Sequence, residues 1–464
     1  MSKKSTSSKP WQHRLSSDPD LATSELVASL DVDVALYPFD IAGSIAHATM
    51  LSEIGILTAQ ELTAIREGLA AIAADIEAGT LAMDVALEDI HMVVEAALIE
   101  RIGEPGRKLH TGRSRNDQIA LDLRLWARQA VTDLLALVRK LQRSFVGLAE
   151  KQGQIVMPSY THTQRAQPIL SGHLLMSYVE MLDRDASRLA DCLGRINVCP
   201  LGSGAVAGTS IPLNRARVAE LLGFAAVSRN SIDATSDRDF LVELCFDLAL
   251  MATHLSRWAE DWVLFSTTEF GFLKLDDAFC TSSSMMPQKK NADTLELIRG
   301  KAASAIAAVT GMLALVKSLP SGYNRDLQDD KRFALPAVAL MQSALTVAAG
   351  IVASAQFRPE RIAAGLDEGF LDATALAEYL VNKGMPFRSA HQVVGSLVAL
   401  AESQGKSLDK LTLEQLKAAA SVIEQDVYER LGAGNVVRNY APEGSAGPGQ
   451  LTTQLAYWKK ALKE

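Results

Sequence analysis

An all-α fold is what this sequence predicts, and three observations predict it. Apolar residues recur at intervals of three and four along single faces of long segments, most plainly Ile119, Leu123, Trp126, Ala130, Leu134, Leu137 and Leu141. Threonines stand three places before glutamate or glutamine where such segments begin, as in Thr58-Ala-Gln-Glu61 and Thr412-Leu-Glu-Gln415, the spacing of a capping box. No stretch of useful length alternates apolar and polar residues as a half-buried strand would. With 464 residues, 48% of them hydrophobic, the chain can bury a large core.

Taken in order, residues 1–20 are rich in serine and lysine without an apolar core segment, and read as a disordered leader, not a signal peptide. Residues 21–112 read as an N-terminal domain of short helices, with helical runs at 40–57 and 58–76. Residues 113–360 carry the long periodic segments and read as a central helical bundle domain. Residues 361–464 shift to shorter helices and a flexible stretch at 442–449, a C-terminal helical domain. The uncharged run at 333–357 is long enough to consider as a membrane span. Gln342, Ser343, Thr346, Ser354 and Gln356 interrupt it, and Pro336 suits a first helical turn, so it reads as a helix buried on all sides within a bundle, with no membrane partner.

A net charge of −8 with no broad basic stripe argues against nucleic acid as a partner, so an anionic substrate must be met locally. Cys192, Cys199, Cys245 and Cys280 show no metal-ligand spacing and suit a reducing compartment, with the cytoplasm as default location.

Polar knots interrupt the helical pattern. The densest, Thr281-Ser-Ser-Ser-Met-Met-Pro-Gln-Lys-Lys-Asn-Ala-Asp293, places hydroxyls, two lysines and an amide before an apolar helical run whose free N–H groups point back at the loop. Such a loop can cradle a carboxylate. Asp293 and Glu296 behind it are also spaced as a capping box. His110-Thr-Gly-Arg-Ser-Arg-Asn-Asp-Gln118 offers arginine forks suited to carboxylates. Met157-Pro-Ser-Tyr-Thr-His-Thr-Gln-Arg-Ala-Gln-Pro168 sets His162, a candidate general acid or base, in a break between long helices, with Pro168 beginning the second. Pro200 to Gly208 is glycine-rich but follows no strand, and reads as a tight turn. The acids within 230–240 cap an apolar helix, and Tyr323, Gln328 and Lys331 in the loop at 322–331 can hydrogen-bond a ligand. Ser29 and Asp33, four apart, and Glu88-Asp89-Ile90-His91 are on residues alone surface or cap groups.

The 281–293 segment resembles the signature loop of the fumarase/aspartase superfamily, Gly-Ser-Ser-x-Met-Pro-x-Lys-x-Asn, matching at Ser283, Ser284, Met286, Pro287, Lys289 and Asn291, with Ser282 in place of glycine and Ala292 in place of the following proline. Together with the 110–118, 157–168, 230–239 and 323–331 stretches it resembles the argininosuccinate lyases. That resemblance implies reversible β-elimination of argininosuccinate to arginine and fumarate without metal or organic cofactor. It implies a homotetramer with a twenty-helix core whose sites collect loops from three subunits. A helix of about 30 residues is roughly 45 Å long, so knots at opposite helix ends of one chain meet only if neighbouring chains run antiparallel.

By the same resemblance Ser283 and His162 form the proton-transfer pair, with either as base, Glu296 polarises the histidine, and Lys289 and Asn291 meet the charge that develops. Ser114, Arg115, Asn116 and Thr161 would hold the succinate portion; Ser29, Asp33, Tyr323, Gln328 and Lys331 the arginine portion; His91 and Arg238 are further site candidates. A sibling lyase acting on adenylosuccinate, aspartate or malate, or a crystallin-like structural protein on the same fold, are the alternatives.

Overall fold

The computed structural model describes residues 20–463, so the expected leader, Asp20 apart, lies outside the described residues. The chain is all-α: among the described residues the strands pair only as four two-stranded ribbons. Five helices dominate, Arg115–Gln152, Ser171–Ile196, Asp239–Ser266, Asp293–Val316 and Asp330–Ser354. The described residues fall into two compact units, one comprising those up to Leu134 with Arg188–Ala249 and Ser304–Leu340, the other Leu135–Ser187, Leu250–Ala303 and the chain from Met341.

In the first unit the helices Tyr37–Glu53, Ala59–Glu77 and Ile90–Ile102 share a core that includes Leu51, Leu69, Ile72 and Leu98. The Ala59–Glu77 helix begins as its sequence dictates. Thr58 accepts from the Glu61 N–H at 3.2 Å, and the Glu61 carboxylate accepts from the Thr58 N–H at 2.8 Å. Its inward face is Ile65, Leu69 and Ile72, spaced four and three, and each contributes roughly 2 kcal/mol by leaving water.

In the second unit Phe145, Tyr178, Trp258 and Trp262 meet from three long helices as tilted and edge-on ring pairs with centroids 5.3 to 6.2 Å apart. The shorter helices Ala373–Asn382, Phe387–Ser403 and Leu413–Ala419 close over Leu376, Leu380, Leu397 and Leu416, and the capping box at Thr412 and Gln415 is formed.

Four local expectations need correction. The stretch around His162 is a hairpin, Val156–Thr161 paired antiparallel with Gln164–Leu170, and the next helix starts at Ser171, not Pro168. Pro158 and Pro168 lie opposite each other across the ribbon, and each forces the residue before it into extended backbone. Asp293 is the first residue of its helix and not the cap: the Glu296 N–H bonds to Ala292 O at 3.1 Å, and the Asp293 carboxylate accepts from the Thr281 hydroxyl. The glycine-rich 200–208 stretch does follow a strand, the two-residue Val198–Cys199, which is too short for a nucleotide-binding βαβ unit.

The last correction concerns the uncharged run. Its helix starts earlier, so Pro336 is inside it, and in the single chain Pro336, Ala339, Ser343 and Thr346 are exposed. By length and hydropathy two helices, Asp293–Val316 and the one ending at Ser354, would suit a membrane. The first exposes Leu297, Ile306 and Leu313 in the single chain, each more than half accessible.

Gly311 and Phe333 mark where the last two long helices pack closely: a Cβ on Gly311 would lie 2.3 Å from Phe333 Cε1. Gly311→Ala is expected to destabilise by about 1–3 kcal/mol through overpacking, against a helix-propensity gain of about 1 kcal/mol. Calorimetry should read a lower Tm; a raised Tm would mean that the Phe333 ring yields freely and only the propensity gain remains.

Candidate active site

A cavity of about 450 Å³ in the first unit gathers seven of the expected binding residues: Ser29, Asp33, Arg115, Asn116, Tyr323, Gln328 and Lys331. Ser29 ends its helix's N-terminal side, and its hydroxyl donates to the Asp33 carboxylate one turn on. Asp33 is buried and faces Lys331 Nζ at 3.5 Å, with Asp330 a further 3.3 Å partner of that ammonium. Burial pushes the Lys331 ammonium down, but Asp330 and Asp33 outweigh it and hold the pKa above the usual lysine value. Burial raises the Asp33 carboxyl, offset only in part by Lys331 and His91.

Arg115 opens its long helix with Nη2 donating to Glu95 at 3.1 Å and Nε 3.7 Å from Asp89. Gln328 Nε2 donates to Val27 O at 3.2 Å, and Asn116 Nδ2 to Ala205 O at 3.1 Å, which tie both side chains to neighbouring loops.

The same wall contains residues that sequence reasoning missed: Glu88, Asp89, Met92, Glu95, His110, Ile119 and Arg325. Glu88, Met92 and Glu95 are spaced four and three in the sequence, with Met92 and Glu95 on the helix Ile90–Ile102 and Glu88 just before its cap, and acids at such intervals beside an otherwise apolar helix were the available signal. With Asp33 they bring the lining to four carboxylates against the cations Arg115, Arg325 and Lys331. Glu88 has φ 67°, a left-handed backbone that a non-glycine residue adopts only when its surroundings hold it there. Burial, then Arg113, lowers His110 to about 4, so the ring is neutral at physiological pH.

His91 and Arg238 do not line this cavity. Arg238 is fully buried, with Nε donating to Asp330. His91 is buried with Nδ1 3.3 Å from both Asp40 and Asp122. Burial opposes its proton, yet Asp40 above all, then Asp89 and Asp122, retain it and raise the pKa to about 9. Asp122 is pushed well above the usual carboxylate range by burial and by Asp40. Ser114 caps the Arg115 helix locally: its N–H donates to Asp117 at 2.8 Å and its hydroxyl accepts from Asn116 N at 3.3 Å. Asp117 also takes the N–H groups of Gly202 and Gly204 at 3.0 and 2.8 Å, so the glycine turn answers a carboxylate of its own chain. Gly202 and Gly204 have φ 89° and 61°, which suits glycine alone.

The remaining expected residues belong to the second unit, on two exposed hairpins. His162 and Thr163 form the two-residue turn between the strands, with φ 53° and 60°. Two positive φ values match the twist of a primed hairpin turn and cost non-glycine residues of the order of 1–3 kcal/mol each. Thr161 is the last residue of the first strand, exposed like His162. On the second hairpin, Thr281–Ser282 pairs with Lys290–Asn291, and the signature residues 283–289 form its loop.

Ser283 Oγ accepts two backbone N–H groups, from Met285 at 3.3 Å and Met286 at 3.0 Å. Lys290 donates to Leu275 O at 2.8 Å and to the Asp277 carboxylate, which raises its pKa. Lys289 has no ion pair among the described residues. Glu296 is exposed on the first helical turn, Asn291 is half-buried, and among the described residues no hydrogen bond joins Glu296 to His162.

The all-helical fold, with half-buried Ser283 and exposed His162 and Lys289 on its hairpins, is that of a lyase: residues 16–307 match the family model described as Lyase. EDDS lyase in complex with formate has the same fold with a TM-score of 0.85, at 31% identity over 95% of this chain and 89% of that one. A variant of EDDS lyase with bound fumarate follows at TM-score 0.82 and 29% identity. Residues 370–438 match the argininosuccinate lyase C-terminal family model. Argininosuccinate lyase of Thioalkalivibrio sulfidiphilus is 48% identical over 98% of this chain and 97% of its own length, that of Rhodopirellula baltica 47% over 94% and 95%, and the chloroplastic enzyme of Arabidopsis thaliana 45% over 98% and 88%. This chain belongs to the argininosuccinate lyase family.

The protonated His91 makes stability fall in alkali. Its folded pKa of about 9 lies above the ordinary 6.5, so its contribution is complete below about pH 6.5, declines as pH rises and is lost above about 9. By linkage the loss is about 3 kcal/mol. Tm measured from pH 6.5 to 9.5 should drop more steeply in the wild type than in His91→Gln; parallel slopes would remove the proton from His91.

Proposed function

We propose that this protein catalyses the reversible elimination of argininosuccinate to arginine and fumarate, a reading supported by its relatives named argininosuccinate lyase. The observation that carries the chemistry is Ser283 Oγ, held by two backbone N–H groups on a loop whose Lys289 is claimed by no carboxylate among the described residues. Donors aimed at an oxygen favour its anionic form, which a serine base requires. Ser283 takes the proton from the carbon next to a succinate carboxylate, and the electron pair passes into that carboxylate as an enolate-like dianion. Lys289 and Asn291 supply fixed positive charge and a donor for it. The bond from the neighbouring carbon to the guanidino nitrogen breaks, fumarate forms, and His162, with Glu296 as its partner, returns a proton to the departing nitrogen. Each proton transfer is worth on the order of 100- to 10,000-fold. No step is routed through a metal or an organic cofactor.

The cavity's four carboxylates suit the guanidinium and amino groups of the arginine portion, while Arg115 and Asn116, with Ser114 and Thr161 in support, suit a carboxylate. We further propose that the working protein is a homotetramer in the cytoplasm, whose sites join the cavity of one chain to hairpins of others. The apolar Ile306 and Leu313, seven residues apart on one face of a helix with no charge between Lys301 and Lys317, support such an assembly, since they are otherwise left in water. The organisation into N-terminal, central and C-terminal helical segments is retained as part of this reading.

Absorbance in the fumarate band should rise on adding argininosuccinate and stay flat with adenylosuccinate, aspartate or malate. A rise with one of the latter and none with the first would replace the substrate. Ser283→Ala is expected to lower kcat by at least about 100-fold while leaving the elution volume of the assembly unchanged; near-normal turnover would take the serine out of the reaction.

A further inference from the structure

We propose that Gln118 is a positioning residue that aims Arg115 at the substrate carboxylate, backed by the buried His91–Asp40 pair. The inference rests on the reading that Arg115 binds that carboxylate. Gln118 is 2% exposed and lies one turn beyond Arg115 on the same helix. Its Oε1 accepts from Arg115 Nη1 at 2.7 Å, and its Nε2 donates to Asp40 Oδ1.

The charges at its two ends fix which way the amide points. A guanidinium only donates and a carboxylate only accepts, so the carbonyl must face Arg115 and the amino group Asp40. A flipped amide would lose both bonds. Asp40 is itself immobilised: His91 Nδ1 lies 3.3 Å from it, and both side chains are about 1% exposed. The chain of contacts therefore runs from a packed ion pair, through one amide, to a guanidinium in the cavity wall.

What the chain leaves free on Arg115 suits its proposed ligand. Of the five guanidinium N–H groups, one on Nη1 goes to Gln118 and one on Nη2 to Glu95 at 3.1 Å. One N–H on each terminal nitrogen remains, the pair that a carboxylate takes in a bidentate bond. Without Gln118 the guanidinium would keep its acidic partners Glu95 and Asp89 and turn toward them, since nothing neutral would compete on the other side.

The test is steady-state kinetics on Gln118→Met, which keeps the length but neither hydrogen bond, and on Gln118→Asn, one methylene too short to span both partners. Both should raise the KM for argininosuccinate about tenfold with kcat within about twofold, the pattern of lost ground-state binding. In an Arg115→Lys background the Gln118→Met change should add little, because its effect acts through the fork that is gone. An unchanged KM in both single variants, or a full additive effect in the double variant, overturns the positioning role. A normal KM in Arg115→Lys alone instead removes Arg115 from substrate binding, a failure of the reading beneath and distinguishable because Gln118 is intact. Melting curves on each variant identify loss of fold, and Gln118→Asn carries the test if Gln118→Met does not fold.

Discussion

A charge buried among helices has to be met by another charge or by hydrogen bonds, because an isolated ion out of water costs several kcal/mol. In the first unit that requirement ties together segments distant in sequence. Arg238, Asp330, Lys331, Asp33 and Ser29 form one connected set, all almost wholly out of water. Each member is costly alone and tolerable only in the presence of the others. The ends of the 29–33 and 325–331 segments, which carry most of the cavity's expected residues, are thereby held in one place. Arg325 and Gln328, both bonded to Val27 O, extend the same closure.

This constraint explains why sequence reading named the polar residues that the cavity gathers and not their backing. Ser29 and Asp33 were named by resemblance, their residue types alone making them surface or cap groups, whereas Tyr323, Gln328 and Lys331 already read as able to hydrogen-bond a ligand. Arg238 and His91 were placed among the site candidates, and both sit behind the wall, because motif membership does not separate a residue that touches ligand from one that neutralises its neighbour. The missed acids had a legible signal in their helical spacing. Their meaning depended on a partner more than 200 residues away, as with Glu88 and Arg325, and such pairings are not encoded locally.

Helices were legible because period, caps and length agree, as at Thr58 and Thr412. The hairpins were not. Around His162 the prolines that suggested helix boundaries act instead to hold short extended strands, and the turn residues are His and Thr where Asn and Gly are usual. Histidine and threonine at positive φ hold such a turn only at the cost of backbone strain, and their residue types carried no hairpin signal. Lys289 and Lys290 were likewise indistinguishable by type. Only the Asp277 carboxylate separates them, claiming the second and leaving the first.

The groups proposed to react stand on hairpin tips, His162 and Lys289 exposed and Ser283 half-buried, and cannot work as such in open water. A serine alkoxide and a developing dianion are solvated by water nearly as well as by a few donors, so the advantage of Ser283 and Lys289 appears only where water is excluded. The single chain leaves two kinds of surface uncovered: these polar tips, and the apolar stripe of Ile306 and Leu313, seven residues apart on one helix face. Burying the stripe against like helices of other copies would supply free energy of association, roughly 25 cal/mol per Å². In the proposed tetramer that same association brings a foreign surface over the tips. Hydrophobic burial far from the chemistry would then dehydrate the chemistry, which is why a helical face without ligand contacts belongs to the mechanism as much as the loop with the serine does.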